Sequence, residues 1–420
     1  MATILFTHIG QLVSVRPESF RLQGKQLAEL PSLRDAYLVV EDGRIAEYGV
    51  MDGLTYQPRD FGEHVDARGR LVLPAWCDSH THLVFAASRE QEFVEKIRGS
   101  SYAEIAAKGG GILNSARRLA DCSEETLFRD AWERLAEIAR LGTGAVEIKS
   151  GYGLTVESEL KMLRVIRRLR EKSPLAIRAT FLGAHAYPPE YLADHEGYIR
   201  LLVEELMPRI AAEGLADFVD VFCEQGFFSA EETLRICEAA WAWGLRPKLH
   251  VNQLSSQGGI EAGIRVNALS LDHLETLTPQ EIGLLAAATA GATGAGPVAT
   301  LLPSAAFFLR MPYQPARALL DAGCPVALAS DYNPGSSPSG NMNFIVSLAC
   351  IQLRMLPEEA INAATLNGAY AMGLGEELGS ITPGKRANLI LTRPVPSLAY
   401  LPYAFGTSLV ERVLLGGQWM

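Results

Sequence analysis

The chain has 420 residues, 48% of them hydrophobic, which suffices for a large buried core and suits one big domain plus a smaller one. Its formal charge is -10, from 48 acidic against 38 basic residues with no Lys/Arg-rich run, which argues against nucleic acid or an anionic membrane as partner and for a small soluble substrate. Six scattered cysteines without a C-x-x-C pair read as reduced thiols, and with no signal-peptide pattern over Met1–Val15 and no apolar run of about 20 residues the expected location is cytoplasmic.

Up to about Val72 the chain reads as short strands and turns: Ile4–Phe6, Ala36–Val40, Arg44–Tyr48 and His64–Asp66, with Asp42-Gly43 as a hairpin signal. The final stretch is of the same kind, with Ala387–Leu391 and then Val410–Leu415 before Gly416-Gly417. Strands at one end alone would leave edges unpaired. Residues 1–72 and 376–420 are therefore expected to form one composite β-sandwich domain.

Residues 73–375 alternate apolar strand-like runs with helical patterns, such as Glu124–Leu141, Glu157–Lys172 and Glu231–Trp243. This is the signature of a parallel sheet with crossover helices, and the predicted fold is α/β, a TIM-like (β/α)8 barrel. Barrel enzymes place their chemistry at the C-terminal ends of the strands. Here the apolar runs stop at polar residues: Leu71–Cys77 at Asp78-Ser79-His80-Thr81-His82, then later runs at Lys149, His185, Glu224, His250, Asp272-His273 and Asp331.

His80 and His82 lie two residues apart on an extended chain, so both rings point to one face. A His-x-His pair alone is weak evidence for a metal. Five of the eight histidines at strand ends, together with Asp331, are harder to explain by packing. His8, His64 and His195 lack such placement and read as surface or satisfied interior residues. His80, His82, His250 and Asp331 supply three nitrogens and one carboxylate, a set that suits zinc or iron better than magnesium or calcium.

The His80-Thr81-His82 motif, His250, His273 and Asp331 resemble the amidohydrolase superfamily of metal-dependent barrel hydrolases. Glu147-Ile148-Lys149-Ser150-Gly151-Tyr152-Gly153-Leu154, Asp331-Tyr332-Asn333-Pro334-Gly335-Ser336, and Ser101-Tyr102 with Gly109-Gly110-Gly111 narrow the likeness. They resemble the branch of histidine degradation whose substrate is 4-imidazolone-5-propanoate. The resemblance implies hydrolysis of a ring C–N bond to give N-formimidoyl-L-glutamate, with one Zn(2+) or Fe(3+) per subunit. Dimerisation is common among such barrels, so a homodimer is the expected assembly, although no interface is legible.

The same resemblance implies residue roles. Arg89 would grip the propionate carboxylate at two points, and Tyr152 would approach the ligand between Gly151 and Gly153. His185 would hydrogen-bond the ring or its carbonyl, with Asn333, Gly335 and Ser336 on the other side. Lys149 is expected to hold the Tyr152 loop rather than bridge two metals. Gln253 stands where many relatives carry Glu. It can hold a ring by hydrogen bonds but cannot accept a proton at neutral pH, which moves proton transfer to His273 and Asp331. Gly109–Gly111 reads as a cover over the substrate. The competing readings are another mononuclear amidohydrolase, a cyclic amide hydrolase or heterocycle deaminase, and a non-catalytic relative that keeps the barrel for assembly.

Overall fold

The structure is a computed structural model that describes residues 3–99, 110–290 and 296–420. Five strands come first: β1 (Thr3–Val13), β2 (Ser32–Glu41), β3 (Arg44–Val50), β4 (Glu63–Asp66) and β5 (Leu71–Pro74). Asp42 and Gly43 join β2 to β3 with φ of 47° and 76°, the left-handed pair that a tight hairpin needs.

β6 (Trp76–Thr81), β7 (Thr143–Lys149), β8 (Ala176–Ala184), β9 (Phe218–Cys223), β10 (Arg246–Val251), β11 (Ser270–His273), β12 (Val298–Leu301) and β13 (Val326–Leu328) follow. They form an eight-stranded sheet in sequential order, and every pairing is parallel. Just beyond β13 the sheet closes on itself: Asp331 N donates to His80 O at 3.0 Å, and His82 N to Tyr332 O at 2.9 Å. The chain is thus an α/β barrel, as expected.

Helices such as Glu124–Arg140, Val156–Lys172, Ala230–Trp241 and Pro279–Thr289 pack outside it. Ser123, Thr155, Ser229 and Thr278 cap these four N-termini through their side-chain oxygens. Leu127, Ala131, Leu135 and Ile138 recur at helical spacing along the first of them and face the barrel core. Two further helices, Glu90–Ile97 and Ile112–Asp121, lie between β6 and the helix Glu124–Arg140 and are not among the expected elements. No helix among the described residues is long and apolar enough to cross a membrane.

The last strands, β14 (Leu389–Thr392), β15 (Val410–Leu415) and β16 (Gln418–Trp419), join the first five in one sheet of order β16-β15-β14-β5-β1-β2-β3, with β4 on β1. Phe6, Ile9, Val40, Ile45, Leu389 and Leu414 share one buried core, so the sheet folds over it. Ala387 N donates to Gly43 O at 2.8 Å, tying the hairpin tip to the C-terminal segment. β5 is paired on both sides, by β1 and β14, and Ala75 N, directly after it, donates to Asn388 O at 2.8 Å. The segment that leads directly into β6, and so to His80, is therefore anchored by both ends of the chain.

The expected cover falls partly outside the described residues, since Gly109 lies there with Ser101 and Tyr102. Gly111 is described. It precedes the helix Ile112–Asp121, and its N–H donates to Glu92 Oε1 at 3.0 Å.

Candidate metal centre

His80 ends β6 with His82 just past it, while His250 and His273 end β10 and β11 and Asp331 follows β13, so all five project at one end of the barrel. His82 Nε2 lies 3.3 Å from His250 Nε2. Asp331 Oδ1 lies 3.5 Å from His80 Nε2 and 3.6 Å from His82 Nε2. Two overlapping groups are close enough to share an ion: His80, His82 and Asp331, and His80, His250 and His273. His273 thus joins the cluster as well as the four residues expected from sequence.

Two of the rings, His80 and His250, are oriented from behind. Asp272 Oδ2 lies 2.7 Å from His80 Nδ1, and Asp220 Oδ2 lies 2.8 Å from His250 Nδ1. A carboxylate at Nδ1 holds the proton there and turns the lone pair of Nε2 toward the centre. His80 Nε2 is buried with no hydrogen-bond partner. An orphaned ring nitrogen beside two further imidazoles and a carboxylate is what a transition-metal ligand set leaves behind, so the donors fit zinc or iron. Burial, foremost, and then neighbouring cations push His80, His82 and His250 well below the usual imidazole range, so the rings are neutral, as ligands must be.

His273 behaves differently. Burial, the largest single influence, works against its charged form, but Glu275, 3.4 Å from Nδ1, together with Asp331 and Asp272 outweighs it and raises the ring's affinity for a proton. Gln314 Nε2 holds Glu275 in turn at 2.9 Å. Burial pushes Asp331 up to about 6 and His185 down to about 4. Asp331 and His273 both take positive φ, 53° and 87°, a costly conformation for these residue types that aims side chains at the shared point.

Beneath the histidines the barrel is filled by charge rather than aliphatic side chains. Lys149 Nζ lies 2.7 Å from Glu147 Oε1 and 2.9 Å from Asp220 Oδ2; Lys248 Nζ lies 2.6 Å from Ser270 Oγ and 3.4 Å from Glu147 Oε2. All are fully buried. Lys149 therefore does not hold the Tyr152 loop. Glu159 does, accepting from Gly151 N (3.1 Å), Gly153 N (2.6 Å) and Leu154 N (3.1 Å). The ammonium of Lys149, committed to two carboxylates, supports the ligand shell from below.

A cavity of about 420 Å³ opens above the cluster. Its lining includes His82, His250, His273 and Asp331 at the base, with Arg89, Tyr152, His185, Gln253, Asn333, Gly335 and Ser336 around the wall. Every site residue expected from sequence is thus on this cavity except His80, which lies below it. Lys96, Phe222, Phe227, Leu254, Leu309 and Met311 also line it and carry no sequence signal of doing so. Asn333 shapes its own loop, since Oδ1 accepts from Gly335 N and Ser336 N at 2.7 and 2.8 Å, and Ser336 Oγ sits 3.3 Å from Asp331 Oδ2. Glu224, a strand-end residue without an assigned role, accepts from Leu254 N at 2.8 Å and from Ser255 Oγ, fixing the turn that carries Gln253. Arg89 Nε and Nη2 both donate to Glu92 Oε2, at 2.8 and 2.5 Å.

Residues 71–420 match the amidohydrolase family model. The chain is 55% identical to the imidazolonepropionase of Flavobacterium johnsoniae over 415 residues, covering 99% of each chain. It is 40% identical to that of Geobacillus kaustophilus over 422 residues, covering 100% of this chain and 98% of the relative. Among solved structures, Escherichia coli guanine deaminase superposes with a TM-score of 0.71 at 15% identity, covering 100% of this chain and 99% of the other. A zinc-bound adenosine deaminase from Xanthomonas campestris gives 0.68 at 18%, covering 100% and 92%. At such identities these two speak for the fold alone.

Proposed function

This chain belongs to the amidohydrolase family, and we propose that it acts as an imidazolonepropionase, hydrolysing 4-imidazolone-5-propanoate to N-formimidoyl-L-glutamate. The observation that carries the reading is the union, on one cavity, of a metal-capable cluster at the base and a guanidinium on the wall, the pair of features that a hydrolysable ring with an acidic arm calls for. Full-length identity of 55% to a protein of that name supports it.

In the proposed reaction a water oxygen bonds to the ring carbonyl carbon, the C–N bond breaks, and the leaving nitrogen takes a proton. His80, His82, His250 and Asp331 would hold one Zn(2+) or Fe(3+) per subunit, which would supply a Lewis acid and lower the pKa of water. His273, kept prone to protonation by Glu275, is the proton donor to the carbonyl oxygen or the departing nitrogen. Asp331, part of the metal-capable cluster and 3.3 Å from Ser336 Oγ, can take a water proton transiently and pass it on. His185, neutral and hydrogen-bonded through Nδ1 to Gly151 O at 3.0 Å, presents Nε2 to the ring. Gln253 holds the ring by its amide, Arg89 and Tyr152 receive the propionate, and the Asn333 loop with Gly335 and Ser336 forms the facing wall. Residues 1–72 and 376–420 as a supporting domain, a cytoplasmic location and a homodimer belong to the same reading.

The test joins elemental analysis to an ultraviolet assay of imidazolone propanoate. The expected result is about one zinc or iron per chain, with turnover abolished by chelation and restored by either metal. Turnover of a ring without the acidic arm, surviving Arg89→Ala while imidazolone propanoate stays intact, would move the assignment to a cyclic amide hydrolase or heterocycle deaminase.

A further inference from the structure

The helix Glu90–Ile97 opens at Arg89, so residues 89, 92 and 96 follow one another at spacings of three and four and share a face. Arg89 and Lys96 on that face are the arginine and lysine side chains that line the cavity. Their electrostatic situations differ. Arg89 donates twice to one oxygen of Glu92, and the other oxygen of Glu92 is occupied by Gly111 N. The guanidinium and this carboxylate are 9% and 12% exposed, so the pair is neutral overall and screened from water. Lys96 has no such carboxylate contact: its hydrogen bond among the described residues is to a carbonyl, Gly335 O, at 3.5 Å. Both cations approach the same residue, because a side chain at Gly335 would first meet Arg89 Nη1. Glu92 attracts Lys96 as well, but one carboxylate against two cations leaves a net positive charge on this wall, and Lys96 is the cation not hydrogen-bonded to it.

We propose that Lys96 is a specificity-determining residue that selects carboxylate-bearing substrates, seating the carboxylate between its ammonium and Nη1 of Arg89 beside Gly335. This rests on the reading of the site as one for an acidic ring substrate and adds a residue to it. Glu92 acts through Arg89: it orients the guanidinium and offsets one of the two cations, so that a neutral arm of similar shape gains little here while an anion meets the remaining net positive charge.

Lys96→Met keeps the apolar stem and removes the charge at a half-buried position. KM for imidazolone propanoate is expected to rise about tenfold, the equivalent of one charge-assisted contact, with kcat within about twofold, and Lys96→Arg is expected to recover most of the loss. In calorimetric titrations of the metal-loaded protein, the Kd of imidazole-4-propanoate rises by the same factor, whereas that of 4-propylimidazole does not change. A parent-like Kd for imidazole-4-propanoate in Lys96→Met, or an equal loss for both probes, would overturn the proposal. If the parent binds imidazole-4-propanoate through Lys96 yet leaves imidazolone propanoate unconsumed, the function assignment fails and the role of Lys96 stands.

Discussion

Asp272 Oδ2 lies 2.7 Å from His80 Nδ1, and that contact decides which nitrogen of His80 faces the His/Asp cluster and would be offered to a metal. Asp272→Asn keeps the shape but weakens the hold on the Nδ1 proton. It also removes one of the carboxylates facing Lys149 and Lys248, each 3.8 Å away. We predict that metal affinity, measured by competition with a chromogenic chelator, drops about 10- to 100-fold, as is typical when the carboxylate behind a ligand histidine is lost. Unchanged affinity would mean that Asp272 serves only the lysines.

Gly335 leaves no room for a Cβ: the added atom would collide with Arg89 Nη1. Its φ is not among the positive values, so the backbone itself tolerates alanine. Gly335→Ala should therefore fold normally and push the guanidinium aside. With charge-assisted hydrogen bonds worth about 1.5–3 kcal/mol, kcat/KM for imidazolone propanoate is expected to drop by about one to two orders of magnitude, mostly through KM. Parent-like kinetics with an unaltered melting curve would show that Arg89 does not grip the substrate.

Lys385 is a buried ammonium outside the cavity, donating to Ser19 Oγ (2.7 Å), Gly375 O (2.6 Å) and Leu378 O (2.9 Å). Burial pushes it down to about 8 from the ordinary 10.5. Between those two values the unfolded chain binds the proton and the folded chain has released it, so this residue's contribution makes stability rise with pH across the window. Below about 8 both states are charged and the contribution is flat. The expected observation is a difference in urea midpoint between parent and Lys385→Met that widens in favour of the parent from pH 8 to 10.5. A difference independent of pH would refute it.

The sequence reads well where a polar residue interrupts an apolar strand. His80, His82, His185, His250, His273 and Asp331 are recognisable because each ends a run that burial alone would continue, and the structure brings them to one cavity and its floor. What lies under them is legible only in hindsight. Glu147-x-Lys149, Lys248-x-His250 and Ser270-x-Asp272 are period-two pairs on inward faces, so a lysine one step below a strand end is a buried cation in need of carboxylates. Reading Lys149 as a loop support misses this, because the partner Asp220 sits two strands away on β9 and only the pairing of β7 and β9 with β8 brings it near. Glu92 and Lys96 escape for another reason. They belong to a short helix of mostly exposed residues, where charged side chains ordinarily mean solvent, and its apolar residues Phe93, Val94 and Ile97, which the spacing would turn inward, are exposed instead.

The pairing of β14 with β5 has a consequence for how the protein is made. Leu389–Leu391 dock on Val72–Pro74, more than three hundred positions earlier, so a chain growing on the ribosome carries an open apolar strand edge immediately ahead of the histidine pair until translation is nearly over. The nascent molecule, rather than the finished one, is then the form most exposed to wrong strand pairing, and the stage at which a chaperone has most to offer.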